Sequence, residues 1–425
     1  MVNMFTLDNG IRVLCEKMES IRSVALGVWV GAGSRYESKE EGGISHFIEH
    51  MLFKGTTKRT AKQIAEEIDA IGGQINAFTS KDCTCYYTKT LDEHIDVSMD
   101  ILSDILLHSK LEKTDIDLER NVILEEINMY EDSPEDLVHD YYMETVWKTS
   151  PLGRPILGTP ETLGGLDRDK MRSYIKQKYI PENLVISVVG SFNEATLQKK
   201  LEKRFGRIKQ DPNGVAPESD NPKYFARVGT KSKKTEQIHL CIGTKGIELG
   251  NDDNYAFALA NNVFGGGMSS ILFQKIREEL GLVYSIYSYS TAYKNAGLFT
   301  IYAGMNPEQT ERVLAKILEE MRRFKEAGMT KELLAKAKEQ YKGNFVMGLE
   351  NSSGRMMALG RSELLLGYVR TPDEIIGKIE KVTLEQVYDV IRRVFDLDQL
   401  SMATVGRQRK GHGKPLGSLA DLKPE

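Results

Sequence analysis

Residues 183–190, NLVISVVG, decide the fold, because the second half of the chain repeats their pattern as QLSMATVG at 399–406. Each stretch follows a segment whose apolar residues have helical spacing, starting at Leu166 in the first copy and Val382 in the second. Both copies therefore predict a helix, a short turn and a strand. The repeat favours an α+β unit of about 210 residues that has been duplicated.

The repeat extends upstream of these strands. Residues 86–106 and 299–321 both read as an alternating strand, a turn and an amphipathic helix. We expect an α+β fold with two homologous domains, each a mostly antiparallel sheet with helices packed on one face. The polar segment 209–222 is rich in Pro, Gly and Asp and predicts a linker between domains at 1–208 and 223–425.

The composition excludes several classes of function. A net charge of −4 argues against a nucleic-acid or anionic-membrane partner. No apolar run reaches the roughly 18 residues that a membrane span needs. The chain has four irregularly spaced cysteines and no recognisable targeting segment. These features predict a soluble, cytoplasmic protein with reduced thiols, or one that is exported without a cleaved signal.

Residues 42–53, GGISHFIEHMLF, predict a metal-binding helix. Five apolar residues follow the spacing of an amphipathic helix: Ile44, Phe47, Ile48, Met51 and Leu52. His46, Glu49 and His50 share the opposite face. Two imidazoles one turn apart can bind a single zinc ion, and the carboxylate between them can serve as a catalytic base.

A zinc site of this kind needs a third protein ligand. The helical stretch 112–132 supplies these candidates: Glu119, Glu125, Glu126 and Glu131. Glu119 and Glu126 are two helical turns apart and share a face that we expect to be inward, because apolar side chains lie near it: Val122, Ile123 and Tyr130. Glu125 points elsewhere. Helical geometry alone leaves Glu119 and Glu126 equally eligible.

Other segments have less specific patterns. Residues 74–87 predict a β-hairpin, in which Cys83 and Cys85 are better explained as buried small side chains than as a metal site. The glycines at 265–267 lack the spacing of a phosphate loop and favour a flexible joint before a helix at 269–279. From the residues alone, Arg277 is a surface charge and Tyr284 a core residue.

The metal motif resembles that of a known family. HFIEH at 46–50, its flanks GGISHFIEHMLFKGT (42–56) and ERNVILEEINMYEDSP (119–134), and the spacing from His50 to Glu126 resemble the pitrilysin or insulin-degrading-enzyme family of zinc peptidases. The smaller-subunit branch, which includes mitochondrial processing peptidase and bacterial processing proteases, is the closer match in length. The resemblance runs from residue 6 to residue 406.

The resemblance implies a role for each residue of the motif. His46, His50 and Glu126 correspond to the ligands of one Zn²⁺ per chain, and Glu49 corresponds to the catalytic base. Glu119 corresponds to a carboxylate that assists the site. The implied activity is that of a zinc metalloendopeptidase.

The resemblance also implies how substrate is held. Asn76, Ala77 and Phe78 match an edge strand to which an extended peptide adds, and Arg277 and Tyr284 match residues that contact substrate near the scissile bond. Four such domains form two bowls around a closed chamber in this family, so this chain is one half of a clamshell. Because the chain carries both the metal motif and the Arg/Tyr segment, we expect a homodimer acting on peptides or unfolded segments.

Two alternatives follow from the same resemblance. A non-catalytic structural core subunit of this fold would have a broken metal motif, and here HFIEH and Glu126 are intact. A dedicated presequence-processing protease and a general oligopeptidase share the same motif, and the sequence leaves both open.

Overall fold

The computed structural model describes residues 2–209 and 220–407. The chain divides into two compact units, each built around one sheet. Unit 1 consists of Met1–Ile127, Pro155–Ser219 and Val346–Thr371, and unit 2 of Asn128–Arg154, Asp220–Phe345 and Pro372–Glu425. The predicted α+β fold with two sheet-containing units is confirmed.

The strands and helices are numbered along the chain. The strands are β1 Val2–Thr6, β2 Arg12–Lys17, β3 Ser23–Val30, β4 Gln74–Thr79, β5 Thr84–Leu91, β6 Leu184–Gly190, β7 Val228–Ser232, β8 Ile238–Lys245, β9 Val283–Tyr293, β10 Ala296–Met305 and β11 Ser401–Gly406. The helices are α1 Ile44–Leu52, α2 Ala61–Asp69, α3 Ile95–His108, α4 Lys113–Asp132, α5 Pro134–Val146, α6 Pro160–Gly164, α7 Arg168–Lys178, α8 Glu194–Phe205, α9 Asp253–Gly265, α10 Thr310–Ala327, α11 Lys331–Leu349, α12 Ser352–Leu366, α13 Pro372–Lys381 and α14 Leu384–Val394.

The sheet of unit 1 has six strands in the order β1-β2-β6-β3-β5-β4. Among these described strands, only β2 and β6 are parallel neighbours. The predicted hairpin is confirmed as β4 and β5, with Thr79 opposite Thr84. Strand β4 lies at the end of the sheet, so one of its edges has no strand partner among the described residues.

The sheet of unit 2 repeats this topology. Its order is β7-β11-β8-β10-β9, and β7 and β11 are again its parallel pair. Helices α7 and α14 occupy matching places ahead of β6 and β11, and those two strands both end on a glycine, at Gly190 and Gly406. The duplication predicted from the sequence is therefore present in the strand order and in the helix–strand segments that revealed it.

In one detail the sheets differ from the prediction of helices on one face. In unit 1, alternate residues of β6 join two different apolar clusters, which places those clusters on opposite faces. Helix α3 contributes to one cluster and α12 to the other, where Met356 and Leu359 pack with Trp29. All residues of β6 are buried, as expected for a strand covered on both faces.

Unit 2 has the same arrangement. Helices α9, α10 and α14 share one cluster with Leu240 and Ile242, whereas α5 shares another with Cys241 and Ala403. In the described part of the chain, each sheet thus carries several helices on one face and a single helix on the other.

Helices α5 and α12, each of which covers one face of a sheet alone, also explain why the units differ from the contiguous domains 1–208 and 223–425. Residues 128–154, which include α5, belong to unit 2, and residues 346–371, which include α12, belong to unit 1. Helix α12 lies very close to its sheet. A Cβ added at Gly360 would be only 1.9 Å from Trp29 Nε1, so this position has room for glycine alone. Most of the predicted linker 209–222 lies outside the described residues.

Within residues 2–209 and 220–407, none of the helices combines the length and the apolar character that a membrane crossing requires. The four cysteines are buried free thiols. Cys83 and Cys85 lie in the apolar cluster that Trp29 and α12 form in unit 1, which confirms them as buried small side chains.

Candidate metal centre

Helix α1 is fixed at its start by residues outside the helix. Gly43 precedes it with a φ of 91°, and a Cβ there would lie 2.6 Å from the carbonyl oxygen of Leu157. The backbone N–H groups of Gly43 and Ser45 donate to the buried carboxylate of Glu37 at 2.8 and 2.9 Å. A carboxylate at this end of a helix also interacts favourably with the helix dipole.

The predicted apolar face of α1 is confirmed, since all five of its apolar residues are buried: Ile44, Phe47, Ile48, Met51 and Leu52. The opposite face carries His46, Glu49 and His50. The rings of His46 and His50 have centroids 4.5 Å apart. The packing of one face therefore presents the two imidazoles together on the other.

Helix α4 brings a carboxylate to the two imidazoles. Glu126 Oε2 lies 3.7 Å from His46 Nε2 and 3.8 Å from His50 Nε2. Among the described residues, these three side chains form a group whose potential ligand atoms all lie within 4.8 Å of one another. Burial, followed by the neighbouring His50, lowers the pKa of His46 to about 3, so this imidazole is neutral and can donate a lone pair.

The donor set fits zinc in type and spacing. Two histidines and one carboxylate are a ligand set of catalytic zinc sites. Zinc–ligand bonds of about 2.0–2.1 Å in a tetrahedron separate neighbouring donor atoms by roughly 3.4 Å. The spacings of 3.7 and 3.8 Å are too long for hydrogen bonds and close to that separation.

Glu119 occupies a different place from Glu126. Its Oε1 lies 2.8 Å from His50 Nδ1, and its Oε2 lies 2.5 Å from Lys54 Nζ. An ionised carboxylate only accepts hydrogen bonds, so the proton of His50 belongs on Nδ1 and its Nε2 is free to bind a metal. The geometry favours Glu126 as the third donor and Glu119 as the residue that orients His50.

The expectation for the inward face of α4 was wrong in part. Ile123 is buried, but Val122 is 50% exposed and Tyr130 is 43% exposed. The buried side chains on this helix are those of Ile116, Glu119 and Ile123, which follow the i, i+3, i+7 spacing of one face. Val122 is rotated by about 100° from Ile123 and therefore leaves that face.

Glu49 lies on the same face of α1 as the two imidazoles, and its carboxylate accepts a hydrogen bond from a hydroxyl group. Thr79 Oγ1 donates a hydrogen bond to Glu49 Oε2 at 2.6 Å. Burial raises the pKa of Glu49, while the Thr79 hydrogen bond and His50 oppose that rise. A carboxylate with a raised pKa is a stronger proton acceptor, which suits a general base.

The three residues expected to bind substrate on β4 have different surroundings. Asn76 is exposed, and its Oδ1 accepts the N–H of Ala77 at 2.8 Å. Ala77 packs against the main core of unit 1. Phe78 packs edge-on against Trp29, with ring centroids 5.8 Å apart. These residues form an edge strand that contacts α1, the helix that carries the two imidazoles.

Arg277 and Tyr284 lie together in unit 2. The Nε of Arg277 donates to the Tyr284 carbonyl at 2.9 Å, and its guanidinium lies 4.5 Å from the ring centroid of Phe273. Tyr284 is 78% exposed, so the expectation of a core residue was wrong. The helix predicted at 269–279 is a π-helix at Phe273–Glu278. The partly exposed guanidinium of Arg277 is thus tied to the backbone of the exposed Tyr284.

Sequence reasoning did not single out Glu37, Lys54 or Thr79. Lys54 is the second residue after the metal helix, and Thr79 is the last residue of the predicted substrate strand, so their positions offered a signal. Glu37 offered none, because its bonds to the start of α1 depend on the path of the intervening loop.

The chain matches known protein families over most of its length. The family described as Insulinase (Peptidase family M16) matches residues 12–160, and the Peptidase M16 inactive domain matches residues 165–341. An uncharacterized zinc protease of Bacillus subtilis is 44% identical over 398 residues, covering 94% of this chain and 97% of that protein. An uncharacterized zinc protease of Streptomyces coelicolor is 39% identical over 396 residues, covering 92% of this chain and 86% of that protein.

Solved structures share the fold at low sequence identity. A protease from Helicobacter pylori superposes with a TM-score of 0.88 at 22% identity, covering 96% of this chain and 99% of that one. A structure described as a peptidase M16 inactive domain from Pseudomonas fluorescens gives a TM-score of 0.89 at 18% identity, covering 96% and 98%.

Proposed function

This chain belongs to the insulinase family of peptidases, family M16, and from that premise we propose that it is a zinc metalloendopeptidase. The observation that carries the proposal is the convergence of His46, His50 and Glu126 beside Glu49. The same donor types at similar spacing suit zinc hydrolases that keep one coordination position open. Relatives that are named zinc proteases support the metal and the reaction class.

The proposed chemistry divides among the residues of the site. When bound by His46, His50 and Glu126, zinc supplies a Lewis acid that lowers the pKa of water and polarises a carbonyl. Glu49 accepts the proton of the water that adds to the scissile carbonyl, and passes it to the leaving amine. Glu119 keeps His50 in the tautomer with a free Nε2. No covalent acyl-enzyme is needed.

The proposed substrate is a peptide or an unfolded segment that pairs with β4. Main-chain hydrogen bonds to an edge strand bind peptides with little dependence on their sequence. Asn76, Ala77 and Phe78 would form the pairing surface, and β4 has an edge without a strand partner in the described part of the chain. By analogy with the family, the peptide would be enclosed in a chamber between two chains.

Digestion of a random peptide library tests the reaction directly. We expect internal cleavage with two new fragments per bond, loss of cleavage with a zinc chelator, and recovery when zinc is returned. The residues beside the cleaved bonds would separate a dedicated processing protease from a general oligopeptidase. Zinc-loaded protein that cleaves nothing, or that only trims termini, would contradict an endopeptidase.

A homodimer with shared sites is the proposed assembly. Arg277 and Tyr284 can supply a cation and a hydroxyl donor near a scissile carbonyl. By analogy with the family, they would serve the zinc site of the partner subunit. An Arg277→Ala chain and a Glu49→Gln chain should therefore each be nearly inactive, and subunit exchange should restore about a quarter of wild-type activity for a two-fold symmetric dimer.

The control for this complementation is a chain that carries both substitutions. Mixed with Glu49→Gln, the Glu49→Gln/Arg277→Ala chain supplies no intact base and should restore nothing. If the two single variants demonstrably exchange subunits and still recover no activity, the shared site is wrong.

We also propose that the protein acts in the cytoplasm. Its four cysteines are buried and unpaired with one another, which suits a reducing compartment. Fractionation of cells that produce it, with a cytoplasmic marker enzyme, would test this location.

A further inference from the structure

We propose that Thr79 is a positioning residue that orients Glu49 and links that orientation to the occupancy of strand β4. The inference rests on the proposed function, in which Glu49 is the base and β4 receives the peptide. It concerns a hydroxyl that neither binds the metal nor accepts the proton of the reaction. Thr79 acts through Glu49, whose carboxylate it holds at 2.6 Å.

The Thr79 hydroxyl is the partner that fixes the Glu49 carboxylate. Within residues 2–209 and 220–407, Glu49 makes one side-chain hydrogen bond, to Thr79, and no ion pair. The terminal torsion of a glutamate is broad, so an unbonded carboxylate samples many orientations. One short hydrogen bond to Oε2 therefore selects the orientation in which Glu49 faces its neighbours in the site.

The direction of this hydrogen bond follows from its acceptor, because an ionised carboxylate has no proton to give. Thr84 lies opposite Thr79 in the β4–β5 pair, and its Oγ1 donates to the Ala32 carbonyl at 2.8 Å. The two hydroxyl oxygens are 3.3 Å apart. Thr84 gives its single proton to Ala32 and can therefore only accept from Thr79, and Thr79 gives its own proton to the nearer acceptor, Glu49, at 2.6 Å. Thr79 therefore occupies Oε2 as a donor and leaves Oε1 to take the proton of water.

The position of Thr79 on β4 links Glu49 to substrate binding. Thr79 is the last residue of the strand, and among the described strands β5 holds it from one side only. A peptide paired with the other edge would add main-chain hydrogen bonds and restrict the motion of β4. The hydroxyl of Thr79 would then be held more firmly against Glu49. A longer peptide should thus raise kcat and not only lower KM.

Matched valine variants test the positioning role. Thr79→Val keeps the shape and the strand preference but removes the hydroxyl. Thr88→Val is the control, because Thr88 is buried in the same hairpin and its hydroxyl has no hydrogen-bond partner among the described residues. We expect Thr79→Val to lower kcat by on the order of 10- to 100-fold, the range of a lost hydrogen bond to a charged group.

Zinc content, Tm and KM should stay close to those of Thr88→Val, and Thr79→Ser should recover most of the lost kcat. Thr79→Ala repeats the test without the added methyl group, in case valine perturbs the strand. Wild-type kcat in both Thr79→Val and Thr79→Ala would overturn the inference. So would a Thr79→Ser protein as slow as Thr79→Val, because the loss would then reflect packing.

A series of peptides of increasing length tests the link to β4. In the wild type, kcat should rise as the peptide extends along the strand, and this rise should be much smaller in Thr79→Val. An unchanged rise in Thr79→Val would overturn the link. Glu49→Gln separates the inference from the function on which it rests: full activity in that variant removes Glu49 as the proposed base, whereas an inactive Glu49→Gln with a fully active Thr79→Val overturns the inference alone.

Discussion

Replacing Glu49 by glutamine is expected to abolish peptide hydrolysis while zinc stays bound. The amide has the shape of the carboxylate, and its oxygen can still accept from Thr79. It cannot take the proton of water, so we expect kcat to fall by about 100- to 10,000-fold, the usual contribution of a general base. Glu49 is absent from the group of three ligand residues, so the substitution leaves the metal donors in place.

Zinc content and peptide cleavage must be measured on the same preparation of Glu49→Gln. Glu125→Gln is a suitable control, because it makes the same chemical change at an exposed position beside Glu126. The control should keep both zinc and activity. Near-normal turnover of zinc-bound Glu49→Gln would remove Glu49 from the mechanism.

Replacing either histidine of α1 is expected to remove zinc and activity together. His46→Ala or His50→Ala leaves two protein donors of the three that converge at the site. A zinc site with two protein ligands binds weakly, so we expect activity to fall by more than about 100-fold, beyond the loss seen when only a ligand-orienting partner is removed. His94→Ala is the control, because His94 lies outside the ligand group and pairs with the neighbouring Glu93.

The carboxylates on α4 should give graded effects in the same assay. Glu126→Gln replaces a donor and should weaken zinc binding strongly. Glu119→Gln removes only the acceptor of the His50 N–H and should weaken zinc binding by about 10- to 100-fold. Competition with a chelator of known affinity measures both. Equal losses in the two variants would contradict their different places in the site.

Local patterns allowed the sequence to predict much of this molecule. The internal repeat predicted the duplicated unit, because helix and strand periodicities survive in β6, β11, α7 and α14. The i, i+4 spacing of His46 and His50 predicted that they share a face, because residues four apart lie about one turn apart in a helix. Helical geometry could not choose between Glu119 and Glu126, since both face inward and only the packing of α4 decides which carboxylate meets both imidazoles.

The features that the sequence did not predict depend on contacts between distant segments. Which face of which sheet α5 and α12 cover is decided by packing, so the contiguous domain boundaries differed from the units. Tyr284 has an aromatic side chain of the kind that often lies in the core, but it is 78% exposed near the start of β9. In the sequence, Thr79 is indistinguishable from any other strand residue. Its role depends on the position of β4 beside α1, which places its hydroxyl within hydrogen-bond distance of Glu49.

Anomalous diffraction at the zinc edge, from crystals of protein purified without chelator, is the most direct test of the metal site. We expect one zinc peak per chain, lying between Nε2 of His46, Nε2 of His50 and the carboxylate of Glu126, with Glu119 bound to His50 and not to the metal. A chain without zinc at this position, or a zinc ion held by other residues, would contradict it.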